Sequence, residues 1–435
     1  MLTQFSLENG IKVAAYNMPN IHSISLSLIV KGGASFDKKG KMGTAHLLEH
    51  MLLQGTPSFA DAQVISEFVE SRAGYINAFT YFDTVELVMR LPDRYLEDML
   101  KLAVEVFYQP TFPEEALVKE RAVMLEEIYA NYESTHDRIG RFFLEAKYAE
   151  GSLLKNEVVG MPEDVKSLNM SDMKELYEQL FKTENSYLCL VGNFEKADLK
   201  KLVEQYFGPV KTSGNFVGEL RFSDQDLNTN RFHWRSDADL SSAYVDLSFK
   251  AMPKDAPVRD WLGQLAAMNV LANLQRSRLN TSLRFEKGLV YSIAVSPIAM
   301  PGFGMNNLPF ECRPENVKVV LAEIVDELIR IKRDGLSQDE FSYIQNYGID
   351  TLMMQFDSVG AVMDTLKQDL LWEDKIYLPE DTMAIIREAS LDEVNAIIRK
   401  YWDYKTANLS IQIAGEVSQD EQKYYLQLLE KLKNA

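Results

Sequence analysis

Hydrophobic and polar positions change period several times along the chain, and each change predicts an element. Residues 5–15 alternate apolar with polar on both sides of Asn9-Gly10, a pair that tolerates the positive φ of a type I′ turn, so a β-hairpin is predicted there. Residues 23–31 (SISLSLIVK) continue the alternation with β-branched residues, as a strand should. Residues 43–54 have no Pro, and no Gly after Gly43, and are apolar nearly all round, which predicts a mostly buried helix. Leu96, Met99, Leu100, Ala103, Val106 and Phe107 then recur at three- and four-residue steps, marking an amphipathic helix that Pro110 ends. Another helix is predicted over 113–131, with Pro113 near its first turn, Glu114 and Glu115 beside its N-terminus, and Leu117, Leu125 and Ile128 as apolar positions.

Strands alternating with single helices, followed by paired long helices, indicate an α+β fold in which helices cover a largely antiparallel sheet. From about 208 to 232 the chain is rich in Gly, Ser, Asn and Asp and has no helical period. The second half then repeats the order: an alternating strand at 243–251, an apolar helix at about 260–275, strands near 289–312, and long helices at about 315–333 and 337–355. An internal duplication follows, with domains at 1–212 and 233–435 joined by a linker at 213–232.

Composition narrows the function classes. The 46 Lys+Arg against 64 Asp+Glu leave a net charge of −18, which repels phosphate backbones and anionic lipid, and no Lys/Arg-rich block offsets it. Neither nucleic acid nor a membrane is therefore an expected partner. No run approaches the roughly 18 apolar residues of a membrane helix. The first residues also lack the basic and apolar regions of a signal peptide, so the expected location is the cytoplasm. Cys189 and Cys312 sit in apolar or strand-like surroundings and read as core thiols.

The most specific feature is His46-Leu47-Leu48-Glu49-His50, an H-x-x-E-H sequence on the first predicted helix. Two His at i and i+4 lie one turn apart on the same face, so both rings can reach one ion, with Glu49 alongside. On a buried helix, two His and a Glu without such a purpose would carry a desolvation cost. A catalytic zinc takes three protein ligands and leaves one position open, so a third is needed. On the 113–131 helix, Glu120 and Glu127 are seven residues apart and nearly eclipsed, whereas Glu126 is rotated away. Glu120 and Glu127 can thus face the same ion, one binding it and the other orienting a His or the water. His22, His136 and His233 have no motif around them and read as ordinary histidines.

These residues resemble the pitrilysin or insulinase-like family of zinc metallopeptidases, the inverzincins, in a short two-domain form. The family continues after H-x-x-E-H with a Glu about seventy residues on and a ligand Glu seven further, and here Glu120 and Glu127 follow His50 at that spacing. The resemblance implies one Zn2+ per chain on His46, His50 and Glu127, with Glu49 as general base and Glu120 in support. Leu7-Glu8-Asn9-Gly10 is similar to the family's opening hairpin. Asn77-Ala78-Phe79-Thr80, followed by Asp83-Thr84, resembles the edge strand on which the family pairs substrate backbone, while Glu86 stands where many members have Tyr. An unpaired edge can bind extended peptides regardless of most side chains. Arg284-Phe285-Glu286-Lys287-Gly288-Leu289-Val290-Tyr291 resembles a block whose Arg and Tyr help hold the substrate carbonyl and developing oxyanion. The second half has no H-x-x-E-H, its equivalent helix reading Trp261-Leu262-Gly263-Gln264-Leu265-Ala266-Ala267-Met268-Asn269.

The resemblance implies two homologous domains forming half of a clamshell, and a metalloendopeptidase acting on peptides or small unfolded proteins in a closed chamber. The simplest completion is a homodimer in which Arg284 and Tyr291 serve the partner's zinc, a heterodimer with a homologous chain being the other arrangement. A dedicated leader or maturation peptidase would use the same residues. A non-catalytic peptide-binding subunit is the alternative of another class, against which the intact His46, Glu49, His50, Glu120 and Glu127 argue.

Overall fold

The alternating run 23–31 becomes strand β3, and its two faces already show how the first sheet is layered. Ile24, Leu26, Leu28 and Val30 point into the main core, while Ile29 and Ser27 are buried on the opposite face. A strand covered on both faces needs helices on both, and the computed structural model supplies them. It describes all residues except 195, 213, 217, 219 and 374. In the first sheet, β1 (Leu2–Ser6), β2 (Lys12–Asn17), β3 (Ser23–Lys31), β4 (Tyr75–Thr80), β5 (Thr84–Pro92) and β6 (Ser186–Gly192) take the order β1-β2-β6-β3-β5-β4. All neighbours are antiparallel except β2 and β6.

The second sheet is built from β7 (Phe232–Ser236), β8 (Ala243–Lys250), β9 (Val290–Ile293), β10 (Ser296–Met300), β11 (Phe303–Cys312) and β12 (Asp403–Ile413). Its order, β10-β11-β8-β12-β7, repeats that of the first, including one parallel pair, β7 with β12. The duplication read from the element order is thus present as topology: β7, β12, β8, β11 and β10 correspond to β2, β6, β3, β5 and β4.

The helices of the first half are α1 (Thr44–Leu52), α2 (Ala62–Glu70), α3 (Leu96–Tyr108), α4 (Glu114–Glu133), α5 (Thr135–Lys147), α6 (Pro162–Ser167), α7 (Met170–Leu180) and α8 (Leu199–Phe207). Those of the second are α9 (Val258–Met268), α10 (Val317–Asp334), α11 (Gln338–Gln355), α12 (Val359–Trp372), α13 (Pro379–Glu388), α14 (Leu391–Tyr401) and α15 (Gln419–Lys433). The chain forms two compact units, and neither is continuous in sequence. One comprises 1–134, 156–219 and 354–377, the other 135–155, 220–353 and 378–435. Each half of the chain therefore lends one helix to the other: α12 joins the first sheet and α5 the second. Of the linker read at 213–232, residues 213, 217 and 219 lie outside the described residues, and the rest holds a 3-10 turn at Asp224–Asp226 and the start of β7.

The lent helices meet very different surfaces. On the first sheet, Val362, Met363, Leu366 and Leu370 of α12 pack on Ala14, Ile29, Tyr187, Cys189 and Val191. At one edge of this layer Glu86 is 4% exposed, accepting from Ser27 Oγ (2.6 Å) and Lys367 Nζ (3.1 Å). Glu86 is thus a buried anchor for α12. On the second sheet, the corresponding face carries Asp246, Ser248, Asn408, Ser410 and Gln412, all buried, beneath α5. Lys147 at the end of α5 neutralises Asp246 at 2.9 Å and also donates to Asn307 Oδ1 at 2.7 Å.

The opening hairpin forms, with a longer turn than the Asn9-Gly10 pair predicts. Ser6 pairs with Lys12, and of the two central residues only Gly10 (φ 98°) is left-handed, whereas a type I′ turn needs both. Asn9 is recruited elsewhere: its Nδ2 donates to the carbonyls of Phe207 (2.8 Å) and Val210 (3.0 Å), tying the turn to the end of α8. Cys189 and Cys312 are free, buried thiols. Among the described residues, no helix is long and apolar enough to cross a membrane.

Candidate metal centre

The site begins with a helix that cannot turn freely. Ala45, Leu47, Leu48, Met51 and Leu52 of α1 are completely buried, which leaves His46, Glu49 and His50 one direction in which to project. Each buried Leu contributes about 1.5–3 kcal/mol relative to exposure, so rotating the helix is costly. Its N-terminus starts at Gly43, whose φ of 89° favours glycine; an added Cβ would lie 2.9 Å from the Val159 carbonyl. Gly43 has no side chain with which to cap the helix. Asp37 does so instead: its carboxylate accepts the N–H groups of Gly43 (2.7 Å) and Ala45 (2.9 Å). Burial pushes the Asp37 carboxyl up to about 7, against the lowering effect of these bonds.

His46 and His50 turn their Nε2 atoms toward each other at 3.3 Å. Glu127 of α4 brings Oε2 to 3.7 Å from His46 Nε2 and 3.9 Å from His50 Nε2. Zn–N and Zn–O bonds of about 2.0–2.2 Å at tetrahedral angles separate ligand atoms by roughly 3.3–3.5 Å; the two His nitrogens stand at that spacing, and the Glu127 oxygen lies a little beyond it from each. Two imidazole nitrogens facing each other beside a carboxylate oxygen form a convergent donor set, which is the observation that fits a metal. Glu49 also places a carboxylate oxygen within 4.8 Å of both rings. Thr80, however, donates its backbone amide to Glu49, whereas Glu127 Oε2 lies within 4 Å of both nitrogens, so Glu127 is the better third donor.

Glu120 occupies the outer side of His50, its Oε2 2.8 Å from Nδ1, with both side chains mostly buried. Glu126 is exposed on another face of α4. Burial, reinforced by the neighbouring His50, lowers the His46 pKa to about 4, so its ring is neutral at pH 7. His46 Nδ1 is buried without a hydrogen-bond partner among the described residues. Burial raises Glu49 to about 6, partly offset by the bonds from Thr80 and the nearby His50. Thr80 Oγ1 also donates to the Ala45 carbonyl at 3.3 Å, which links strand β4 to the first turn of α1.

Strand β4 is the outermost strand of its sheet: Asn77, Ala78, Phe79 and Thr80 pair with Val88, Leu87, Glu86 and Val85, and no described strand lies on the other side. Beside it a cavity of ≈ 340 Å³ reaches Glu49, His50 and Glu120, with Leu53, Ile65 and Ile76 as apolar wall. Arg284 and Tyr291 belong to the other compact unit. Arg284 lies on a π-helical turn at Asn280–Glu286, its guanidinium 5.1 Å from the Phe285 ring centre and 5.5 Å from that of Tyr291, and donates to Gln275 Oε1 at 3.0 Å. Tyr291 is 86% exposed and therefore available to another molecule. The sequence reading missed Asp37 and the cavity wall. Asp37 carried no motif, although an acidic residue close before an uncapped helix was a usable signal.

Comparison with known proteins identifies the family. The profile described as "Insulinase (Peptidase family M16)" matches residues 12–160, and the one described as "Peptidase M16 inactive domain" matches residues 167–347. The second span contains α9 in place of an H-x-x-E-H helix, and the first contains the whole donor set. The uncharacterized zinc protease YmxG of Bacillus subtilis is 23% identical over 94% of this chain and 98% of its own. An uncharacterized zinc protease of Rickettsia bellii is 24% identical over 87% and 90%. In fold, a protease from Helicobacter pylori superposes with a TM-score of 0.83 at 18% identity over 95% of this chain and 99% of its own. The periplasmic protease PqqL of Escherichia coli superposes with a TM-score of 0.82 at 18% identity, covering 100% of this chain with 50% of its own. With both profiles of one family spanning the two halves in order, and the same fold in its solved relatives, the chain belongs to the insulinase, or M16, family of peptidases.

Proposed function

We propose that this protein is a zinc-dependent endopeptidase that hydrolyses peptides or small unfolded proteins. The observation that carries the reading is the convergence of His46 Nε2, His50 Nε2 and Glu127 Oε2 within 3.9 Å, with the Glu49 carboxylate beside them. These three residues would hold one Zn2+ per chain, whose Lewis acidity activates water and polarises a carbonyl. Glu49 takes the proton of the attacking water and passes it to the leaving amine. Its raised pKa, about 6, suits a group that must accept and then release a proton near neutrality. Thr80 keeps the Glu49 carboxylate aimed, and Glu120 holds the Nδ1–H of His50 so that its Nε2 lone pair faces inward. The free edge of β4 binds substrate backbone through Asn77–Thr80 as an added strand.

Arg284 and Tyr291 offer a guanidinium and a phenol to an oxyanion. In the proposed homodimer they serve the partner's metal centre inside an enclosed chamber. Mixing Glu49→Gln chains with Arg284→Ala chains tests this, since one complete site per mixed dimer should restore activity, and no recovery excludes the arrangement. Sizing of the purified chain separates a homodimer from a need for a second homologous chain. The peptidase reading itself is tested by mass spectrometry of a peptide pool incubated with wild type and with Glu49→Gln. Cleavage by wild type alone supports it. Equal cleavage by both removes Glu49 from its role, and no cleavage by the sized, metal-loaded dimer favours a dedicated processing peptidase or a peptide-binding subunit.

A further inference from the structure

We propose that Asp37 is the positioning residue of the metal helix: its buried carboxylate fixes where α1 begins and thereby the placement of His46 and Glu49. The inference rests on the metal reading above and extends it to a residue outside the H-x-x-E-H motif. Four N–H groups at the start of any helix lack intrahelical partners, and they are commonly met by the side chain of the residue that opens the helix. In α1 that residue is Gly43, which offers none. Asp37 replaces it from six residues upstream, after the 3-10 turn Ala34–Phe36. It is 4% exposed, with Oδ2 on the Gly43 amide and Oδ1 on the Ala45 amide, so both oxygens are committed to the first turn.

The connection to chemistry runs through Ala45. Its N–H is held by Asp37, its carbonyl accepts from Thr80 Oγ1, and His46 is the next residue. The backbone amide of Thr80 in turn donates to Glu49. One residue, through the two peptide units that flank it, thus ties the Asp37 clamp, the edge strand β4, the first His and the proposed general base into a single chain of bonds. The neighbouring segment is fixed by a similar device, Asp164 Oδ2 accepting the Met42 amide at 3.1 Å. A shift of the first turn would carry His46 Nε2 with it and change its distances to His50 and Glu127. It would change the preformed donor set without touching any donor.

The test uses the full chain, stripped of metal and titrated with Zn2+ against a chromophoric chelator and with Co2+ by visible absorption. Asp37→Asn places an N–H2 against an N–H, and Asp37→Ser leaves a shorter, neutral acceptor. Expected are a loss of Zn2+ affinity of about 10-fold or more, the scale of losing an outer-shell partner, and an altered Co2+ spectrum at saturation. Asp198→Ala, which removes an ordinary cap from α8, controls for destabilisation and should leave both readouts unchanged. Wild-type affinity and spectrum in a folded Asp37 variant overturn the proposal. Failure of both Asp37 variants to fold overturns it in favour of a purely structural role. Wild type that binds neither ion overturns the metal reading itself, a result distinguishable from the other two.

Discussion

Replacing Glu120 with Gln asks how much of the metal centre's strength lies outside its ligands. Glu120 Oε2 stands 2.8 Å from His50 Nδ1, and the two side chains are only 16% and 17% exposed, so water screens the pair poorly. A hydrogen bond to a charged acceptor contributes about 1.5–3 kcal/mol, against about 0.5–1.5 for a neutral one. Gln keeps an acceptor oxygen at the same reach and removes the charge, so the expected loss is about 1–2 kcal/mol of support to the imidazole. That corresponds to a drop in Zn2+ affinity of roughly 5- to 30-fold, within the range for partners that orient metal-bound histidines. Glu127→Ala, which removes a donor oxygen, should cost considerably more. The assay is competition with a chromophoric chelator at fixed pH, on protein whose folding is confirmed by circular dichroism. An Glu120→Gln protein within twofold of wild type would refute the orienting role. A loss equal to that of Glu127→Ala would refute the division of labour between the two glutamates.

Three further outcomes follow from packing and charge. Lys147→Met strands the Asp246 carboxylate at 3% exposure and should destabilise the second unit by about 3–5 kcal/mol in urea unfolding; Lys147→Met with Asp246→Leu should recover most of it, and an uncoupled pair would contradict this account. Burial raises the Asp369 carboxyl to about 6, opposed by the Tyr377 amide it accepts, so the folded state holds this proton more tightly than the unfolded one. Its stabilising contribution is complete below about pH 4 and is lost as pH rises toward 6, by at most about 3 kcal/mol. Asp369→Asn should therefore gain stability relative to wild type across that window, and a difference independent of pH would rule the titration out. Leu48→Ala empties a fully buried position on α1 and should cost about 2–5 kcal/mol, with Zn2+ affinity falling alongside thermal stability; unchanged affinity would show that the donors do not depend on the helix seat.

Local pattern was a sound guide wherever burial along a single element decides its form. The strand at 23–31, the helix carrying His46 and His50, and the long helix carrying Glu120 and Glu127 all occur at the predicted places, because burial along each element leaves its mark in the pattern of apolar residues. Spacing alone left Glu120 and Glu127 interchangeable. Only the tilt of α4 against α1 puts Glu127 Oε2 near both Nε2 atoms and Glu120 Oε2 on Nδ1 of His50. The hairpin was legible but its turn was not, since the Asn9 side chain is claimed by carbonyls about 200 residues away.

What the chain's order of residues settles, then, is the chemistry it can hold: an H-x-x-E-H helix, glutamates two turns apart on another, and a duplicated alternation of strands and helices. Tertiary structure decides which of these groups meet. It inserts β6 between β2 and β3, sends α5 and α12 each to the other half's sheet, and brings Asp37 onto the amides of Gly43 and Ala45. The physical reason is the range of the interactions. Periodicity reports burial within one element, whereas strand order, helix exchange and a cap borrowed from a preceding turn are set by which distant surfaces lose least by being buried together.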